Sequence, residues 1–193
     1  MGKFPGASQA VYEAAIRGDF HQVNALVAAG PNLNALNSTG DTLLHDIVFR
    51  LAEDQSQLCC DALRLLLQLG ADPNILDDDG FSALAAAMLY MDSELLGILL
   101  SAGADPNRPK GLCESDSFYD WAEYDYCYNV WMRDNAEFEL MNPPEESTEA
   151  DRISEDSWLD YLDRMAVKFG VRRPDHLFLL RRYGAKSAQE IKD

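Results

Sequence analysis

Residues 65–80 read LLLQLGADPNILDDDG. The leucines supply an apolar helix face, and Gly70 can take the left-handed conformation that ends a helix. Pro73 follows where a helix cannot continue, and a second glycine, Gly80, comes 10 residues after the first. The pattern recurs as ALVAAGPNLNALNSTG at 25–40 and ILLSAGADPNRPKG at 98–111, with a short echo, LLRRYGAKS, at 179–187. Gly70 and Gly103 are 33 residues apart. Gly30 and Gly70 are 40 apart, one such period plus 7, and Gly40 again follows Gly30 by 10. Spacings that agree this closely mark internal repeats.

Each period also has an opening motif. It is Gly40-Asp41-Thr42-Leu43-Leu44-His45 in one copy and Gly80-Phe81-Ser82-Ala83-Leu84-Ala85-Ala86-Ala87 in the next. This motif and the period of 33 resemble the ankyrin repeat, whose signature is T-P-L-H-x-A. Leu43 stands for the usual proline, Ile47 for the alanine and Ala85 for the second copy's histidine. The first copy keeps only AAIRGDFHQVNALVAAG, as a capping repeat would. The resemblance implies an all-α solenoid of about four repeats forming one domain over 1–193, with regular repeats over about 8–112. It also implies a binding scaffold and a structural hydrogen-bonding role for His45. Thr42 and Ser82 precede apolar runs as N-caps do, and Leu44 and Leu84 then point into the stack.

Two stretches depart from the period. LAEDQSQ at 51–57 adds seven residues between the helices of one repeat and is read as a surface loop. Gly103 and Gly184 are 81 residues apart, so the last repeat is split by an acidic, aromatic-rich insertion, and insertion and divergent C-terminal repeat together occupy about 113–188. The first helix of the split repeat is expected near FYDWAEYDYCYNVW, 118–131, with Ser117 near the cap. The second is expected over Pro174 to Tyr183. Residues 141–157 read as a polar loop, and 157–170 as an amphipathic helix capped by Ser157 and ended by Gly170. On a helical wheel Phe118, Trp121, Tyr124, Tyr128 and Trp131 share one broad face, the expected core. Tyr119, Glu123, Tyr126 and Val130 lie roughly opposite, and Trp121 stands as a candidate for either role.

Charge points to the class of partner. The net charge is −17. Residues 1–113 hold 14 acids and 6 bases, 114–163 hold 16 and 2, and 164–193 hold 3 and 8. Such a chain is repelled by nucleic acid and by anionic membranes, and a basic protein is the complementary partner. No run of about 18 apolar residues is present to span a bilayer. MGKFPGASQA has no apolar signal core, and Gly6 occupies the place where myristoylation wants Ser or Thr. Cys59, Cys60, Cys113 and Cys127 form no C-x-x-C pair and are read as reduced, mostly buried thiols in a cytoplasmic protein that is monomeric when unbound.

Catalysis finds no footing. His21, His45 and His176 sit in no nucleophile or zinc-protease motif, and no phosphate-binding glycine loop occurs. Asp77-Asp78-Asp79 reads as a turn, so no metal, cofactor or catalytic residue is assigned. The resemblance places binding on turn tips and the solvent side of first helices, giving Asp41, Leu43, Asp46, Asp78, Phe81 and Tyr90 as partner-binding candidates. Tyr119, Trp121, Glu123 and Tyr126 extend that set into the split repeat. The expected function is a non-enzymatic protein-binding module, sharpened to an acidic inhibitor or immunity protein for a basic toxin or nuclease. A scaffold or adaptor, or a nucleic-acid mimic, is the alternative.

Overall fold

The polar residues of the G-A-D-P-N segments tie one repeat to the next. Asn34 Oδ1 accepts the Asp72 N–H at 2.8 Å, and Asn74 Oδ1 accepts the Asp105 N–H, also at 2.8 Å. Within each segment the preceding side chain accepts from the backbone two residues on: Asn32 from Asn34, Asp72 from Asn74, Asp105 from Asn107. These are Asx turns, in which a short polar side chain stands in for a backbone acceptor. The computed structural model describes residues 2–108, 116–133 and 141–192; Cys113, one of the expected buried thiols, lies outside them. The chain divides into two compact units, Met1–Pro109 and Lys110–Asp193. No strand is present among the described residues; a single bridge joins Leu36 and Thr42.

The first unit contains three helix pairs: α1 (Ala7–Ile16) with α2 (Phe20–Val27), α3 (Leu43–Leu51) with α4 (Ser56–Gln68), and α5 (Ala83–Leu89) with α6 (Ser93–Ser101). First helices stack on first helices, α1 on α3 and α3 on α5, and α4 stacks on α6. Thr42 caps α3 by accepting the His45 N–H at 3.1 Å, and Ser82 caps α5 through Ala85. Leu44, Ile47, Val48, Leu63, Leu66, Leu84, Leu95, Leu96 and Leu99 are buried between the pairs. Each such side chain contributes about 1.5–3 kcal/mol by leaving water, which no single pair could obtain alone.

The turn tips are built alike. Asn37 Oδ1 accepts the N–H groups of Thr39 and Asp41, and Asp77 Oδ1 accepts those of Asp79 and Phe81. Gly40 lies close beneath the next tip, where its carbonyl accepts the Asp78 N–H at 3.2 Å.

The loop expected at 51–57 is present only over 52–55, and the seven extra residues mainly lengthen the flanking helices. Relative to the α5–α6 pair, α3 has 9 residues against 7 and α4 has 13 against 9. The connection gains only one, Ala52–Gln55 against Tyr90–Asp92. The insertion therefore goes almost wholly into helix. Cys59, Cys60, Ala62 and Leu63 give the longer α4 a buried face, so its added turn is held by packing.

The second unit contains α7 (Phe118–Cys127), a π-helical turn (Tyr128–Arg133), a 3₁₀ turn (Ala150–Arg152), α8 (Glu155–Phe169), α9 (Asp175–Arg182) and α10 (Ala188–Lys192). The expected cap on α7 is present: Ser117 and Asp120 each accept the other's backbone N–H. α7 packs against α9, where the Tyr126 hydroxyl donates to the Arg172 carbonyl at 2.7 Å and its ring lies 5.6 Å from that of His176. Burial, with Arg172 nearby, holds His176 down to about 3, so it is a neutral core residue. α8 starts earlier than expected, capped by Ser154 rather than Ser157, and ends at Gly170 with φ 66°. Residues 145–152 are tied to it, since Glu145 meets Tyr161 and Lys168 and Asp151 meets Arg164.

Candidate partner-binding site

The candidates of the first unit separate into tips and core. Asp78 is exposed, whereas Asp41, Asp46, Phe81 and Tyr90 are half-buried. Leu43 does not face a partner: it is 1% exposed. It opens α3, which packs on α1 and α5, so its side chain is taken up by the stack. Burial raises the Asp46 carboxyl, with the Tyr12 hydroxyl offsetting part of the effect. Burial also opposes ionisation of Asp41, but donors from Thr39 and Asn37 and the His45 ring hold it below the usual carboxylate range.

His45 sits between the carboxylates of two turns. Its Nδ1 makes no hydrogen bond and lies 3.4 Å from Asp41 Oδ1, while Nε2 lies 3.6 Å from Asp77 Oδ2. The Phe49 ring meets it edge-on at 4.7 Å. One donor atom from each of Asp41, His45 and Asp77 lies within 4.8 Å of the others, so the trio has the reach of a metal site. The two ring nitrogens nevertheless face different carboxylates. That arrangement suits an imidazole shared between two turns better than three donors converging on one ion.

In the second unit the wheel is turned from the expected one. Tyr119 and Tyr126 are 1% and 0% exposed, Trp121 is buried, and Tyr124 and Tyr128 stand outside at 51% and 38%. The buried arc of α7 is centred on Ala122 and Tyr126, where α9 packs, and it takes in Phe118, Tyr119, Trp121 and Cys127. Tyr124, opposite Ala122, is left in the narrow open arc. After Cys127 the π-helical turn lengthens the repeat, so positions 128–131 no longer follow a spacing of 3.6. Trp131 thereby reaches the Phe169 ring at 6.3 Å. The stacked Tyr124–Tyr128 pair, 6.5 Å apart and 3° from parallel, is thus the exposed aromatic feature of α7.

Glu123 is the candidate that lies at a cavity. A space of about 620 Å³ is lined by Glu123, Glu155, Trp158, Ile153, Arg152 and Glu190, among others. A second of about 270 Å³ shares Glu123, Glu155 and Trp158 with it and adds Asp120 and Tyr124. Glu123 Oε1 accepts the Trp158 indole N–H at 2.8 Å. Burial pushes the Glu123 carboxyl up to about 7; the Trp158 hydrogen bond opposes this, and repulsion from Glu155 and Asp120 adds to it. Arg152, at the rim, donates to Ser147, and Arg181 nearby meets Asp156 and Glu190. Trp158 and Glu155 are absent from the sequence candidates because a cavity between helices has no periodic signal. The helical spacing of Trp158 with Leu159 and Leu162 reads simply as core.

A family model described as ankyrin repeats, three copies, matches residues 11–110. The chain belongs to the ankyrin-repeat family. Among curated relatives it is similar to the "Ankyrin repeat domain-containing protein SAT10" of Stachybotrys chartarum, 31% identical over 141 residues, which is 71% of this chain and 7% of that protein. It is also similar to an "Intracellular phospholipase A2" of Caenorhabditis elegans, 32% identical over 97 residues, 49% of this chain and 9% of that one. The chain thus spans under a tenth of either relative. Among solved structures, an ankyrin repeat domain from Acinetobacter baumannii AYE is 35% identical, covering 50% of this chain and 48% of that one, with a TM-score of 0.45. Ankyrin repeats are protein-interaction modules and typically have no catalysis of their own. Among the described residues no helix is long and apolar enough to cross a membrane.

Proposed function

We propose that this ankyrin-repeat chain is a cytoplasmic inhibitor of the immunity type, monomeric until it binds and neutralises a basic protein such as a toxin or nuclease. The observation that carries the reading is the charge of residues 114–163, 16 acids against 2 bases. A surplus of this kind accelerates encounter with a cationic surface and repels nucleic acid. Asp41, Asp78, Phe81 and Tyr90 on the first unit, and Glu123 with Tyr124 and Tyr128 on the second, are the groups offered to the partner. No cofactor enters the reading.

The test is capture on the immobilised full chain, followed by assay of what is retained. A basic protein that is released by salt and loses its activity at one-to-one stoichiometry is the expected result. Retention of no basic protein, or retention indifferent to ionic strength, overturns the reading. A retained protein that keeps full activity makes the chain an adaptor instead.

A further inference from the structure

We infer that the cleft of the second unit lined by Glu123, Glu155, Trp158 and Tyr124 binds the guanidinium of an arginine side chain presented by that basic partner. The inference rests on the partner reading above and says where one contact falls. The two cavities that meet at Glu123, Glu155 and Trp158 provide the room. Glu123 is the unpaired group: among the described residues no arginine or lysine pairs with it, and its neighbours Glu155 and Asp120 carry the same sign, although Arg181 and Ser187 partly offset Glu155. Arg152, which lines the larger cavity, donates to Ser147 rather than to either carboxylate, and Arg181 is held by Asp156 and Glu190.

Tyr119 adds an independent sign. It lies one turn before Glu123 on α7, is 1% exposed, and its hydroxyl has no hydrogen-bond partner. Glu123 and Glu155 act on it, opposed by Arg181, whose guanidinium lies 5.3 Å from its ring. A buried donor left unpaired is unfavourable, so the core directly behind Glu123 holds an unmet polar group.

The chemistry favours guanidinium over ammonium. Glu123 and Glu155 offer carboxylate oxygens for paired N–H donors, and Trp158 and Tyr124 offer rings on which a flat cation can lie. An ammonium cannot stack, and its hydration is harder to remove. Ile153, 80% exposed at the rim, offers an apolar surface to the methylene stem.

The experiment titrates the full chain with acetyl-Gly-Arg-Gly-amide and with its citrulline and lysine counterparts, followed by calorimetry. The arginine peptide is expected to bind about tenfold or more tightly than the citrulline peptide, which keeps the shape and loses the charge, and more tightly than the lysine peptide. Glu123→Gln, and separately Glu155→Gln, is expected to weaken the arginine peptide about tenfold with the circular dichroism unchanged. Equal binding of arginine and citrulline, equal binding of lysine, or undiminished binding by both variants overturns the inference. The two readings fail separately. A chain that binds the arginine peptide yet retains no basic protein sinks the partner reading. A Glu123→Gln chain that retains its basic protein at full strength sinks the cleft.

Discussion

Replacing Glu123 by Gln should stabilise the protein at alkaline pH and leave it nearly unchanged in acid. The folded structure pushes the Glu123 carboxyl from 4.5 to about 7, first by burial. Below pH 4.5 the group carries a proton in both folded and unfolded chains, so it contributes nothing to the pH dependence. Between 4.5 and 7 the unfolded chain gives up the proton while the folded one holds it, so stability falls as pH rises. Above 7 the loss is complete, and the displacement corresponds to about 3 kcal/mol as an upper limit. Glutamine keeps an oxygen for the Trp158 N–H and cannot ionise. The variant should therefore be more stable than the parent by up to about 3 kcal/mol at pH 8, with no such gain at pH 4. Urea unfolding followed by tryptophan fluorescence measures this, because Trp121, Trp131 and Trp158 all lie in the second unit. A gain at pH 8 no larger than that at pH 4, or a loss at pH 8, refutes the reasoning.

Three further outcomes are expected. Trp131→Ala, at a position 0% exposed, should cost about 3–5 kcal/mol in the same assay, whereas Tyr124→Ala, at one 51% exposed, should stay within about 0.5 kcal/mol. Gly40→Ala should cost about 1–2 kcal/mol by thermal melting, because its φ is +87° and an added Cβ would meet Asp78 Oδ2 at 2.4 Å; removing the Asp78 side chain as well should recover the steric share and leave the backbone share. Asp77→Ala should lower the melting temperature and raise hydrogen exchange at Asp79 and Phe81, whose N–H groups lose their acceptor.

Local signals were the legible ones. Thr42, Ser82 and Ser117 cap the helices they precede, because capping needs only a short side-chain oxygen three residues before an N–H. Gly170 closes α8 with the left-handed geometry that glycine permits. The Asp77 tip is a turn for an equally local reason. Of the residues 51–57 expected as loop, 52–55 are the connection, while Leu51, Ser56 and Gln57 belong to helix, because polarity describes an exposed helix end as well as a loop. Ser157 was misplaced as a cap because Ser154, three residues earlier, carries the same chemistry.

By itself the sequence determined the period, the family, the all-α class and the acidic character of this protein. Each of these depends on spacing or composition along the chain. Tertiary structure decided which rings of 118–131 are buried, because α9 packs on the Ala122–Tyr126 side and a π-helical turn shifts the register after Cys127. It also decided that Glu123 sits beside Trp158 and Glu155, 35 and 32 positions further along the chain. Burial and charge pairing depend on neighbours that only folding brings together, so one wheel, read alone, assigned Tyr119 and Tyr126 outward when both lie in the core.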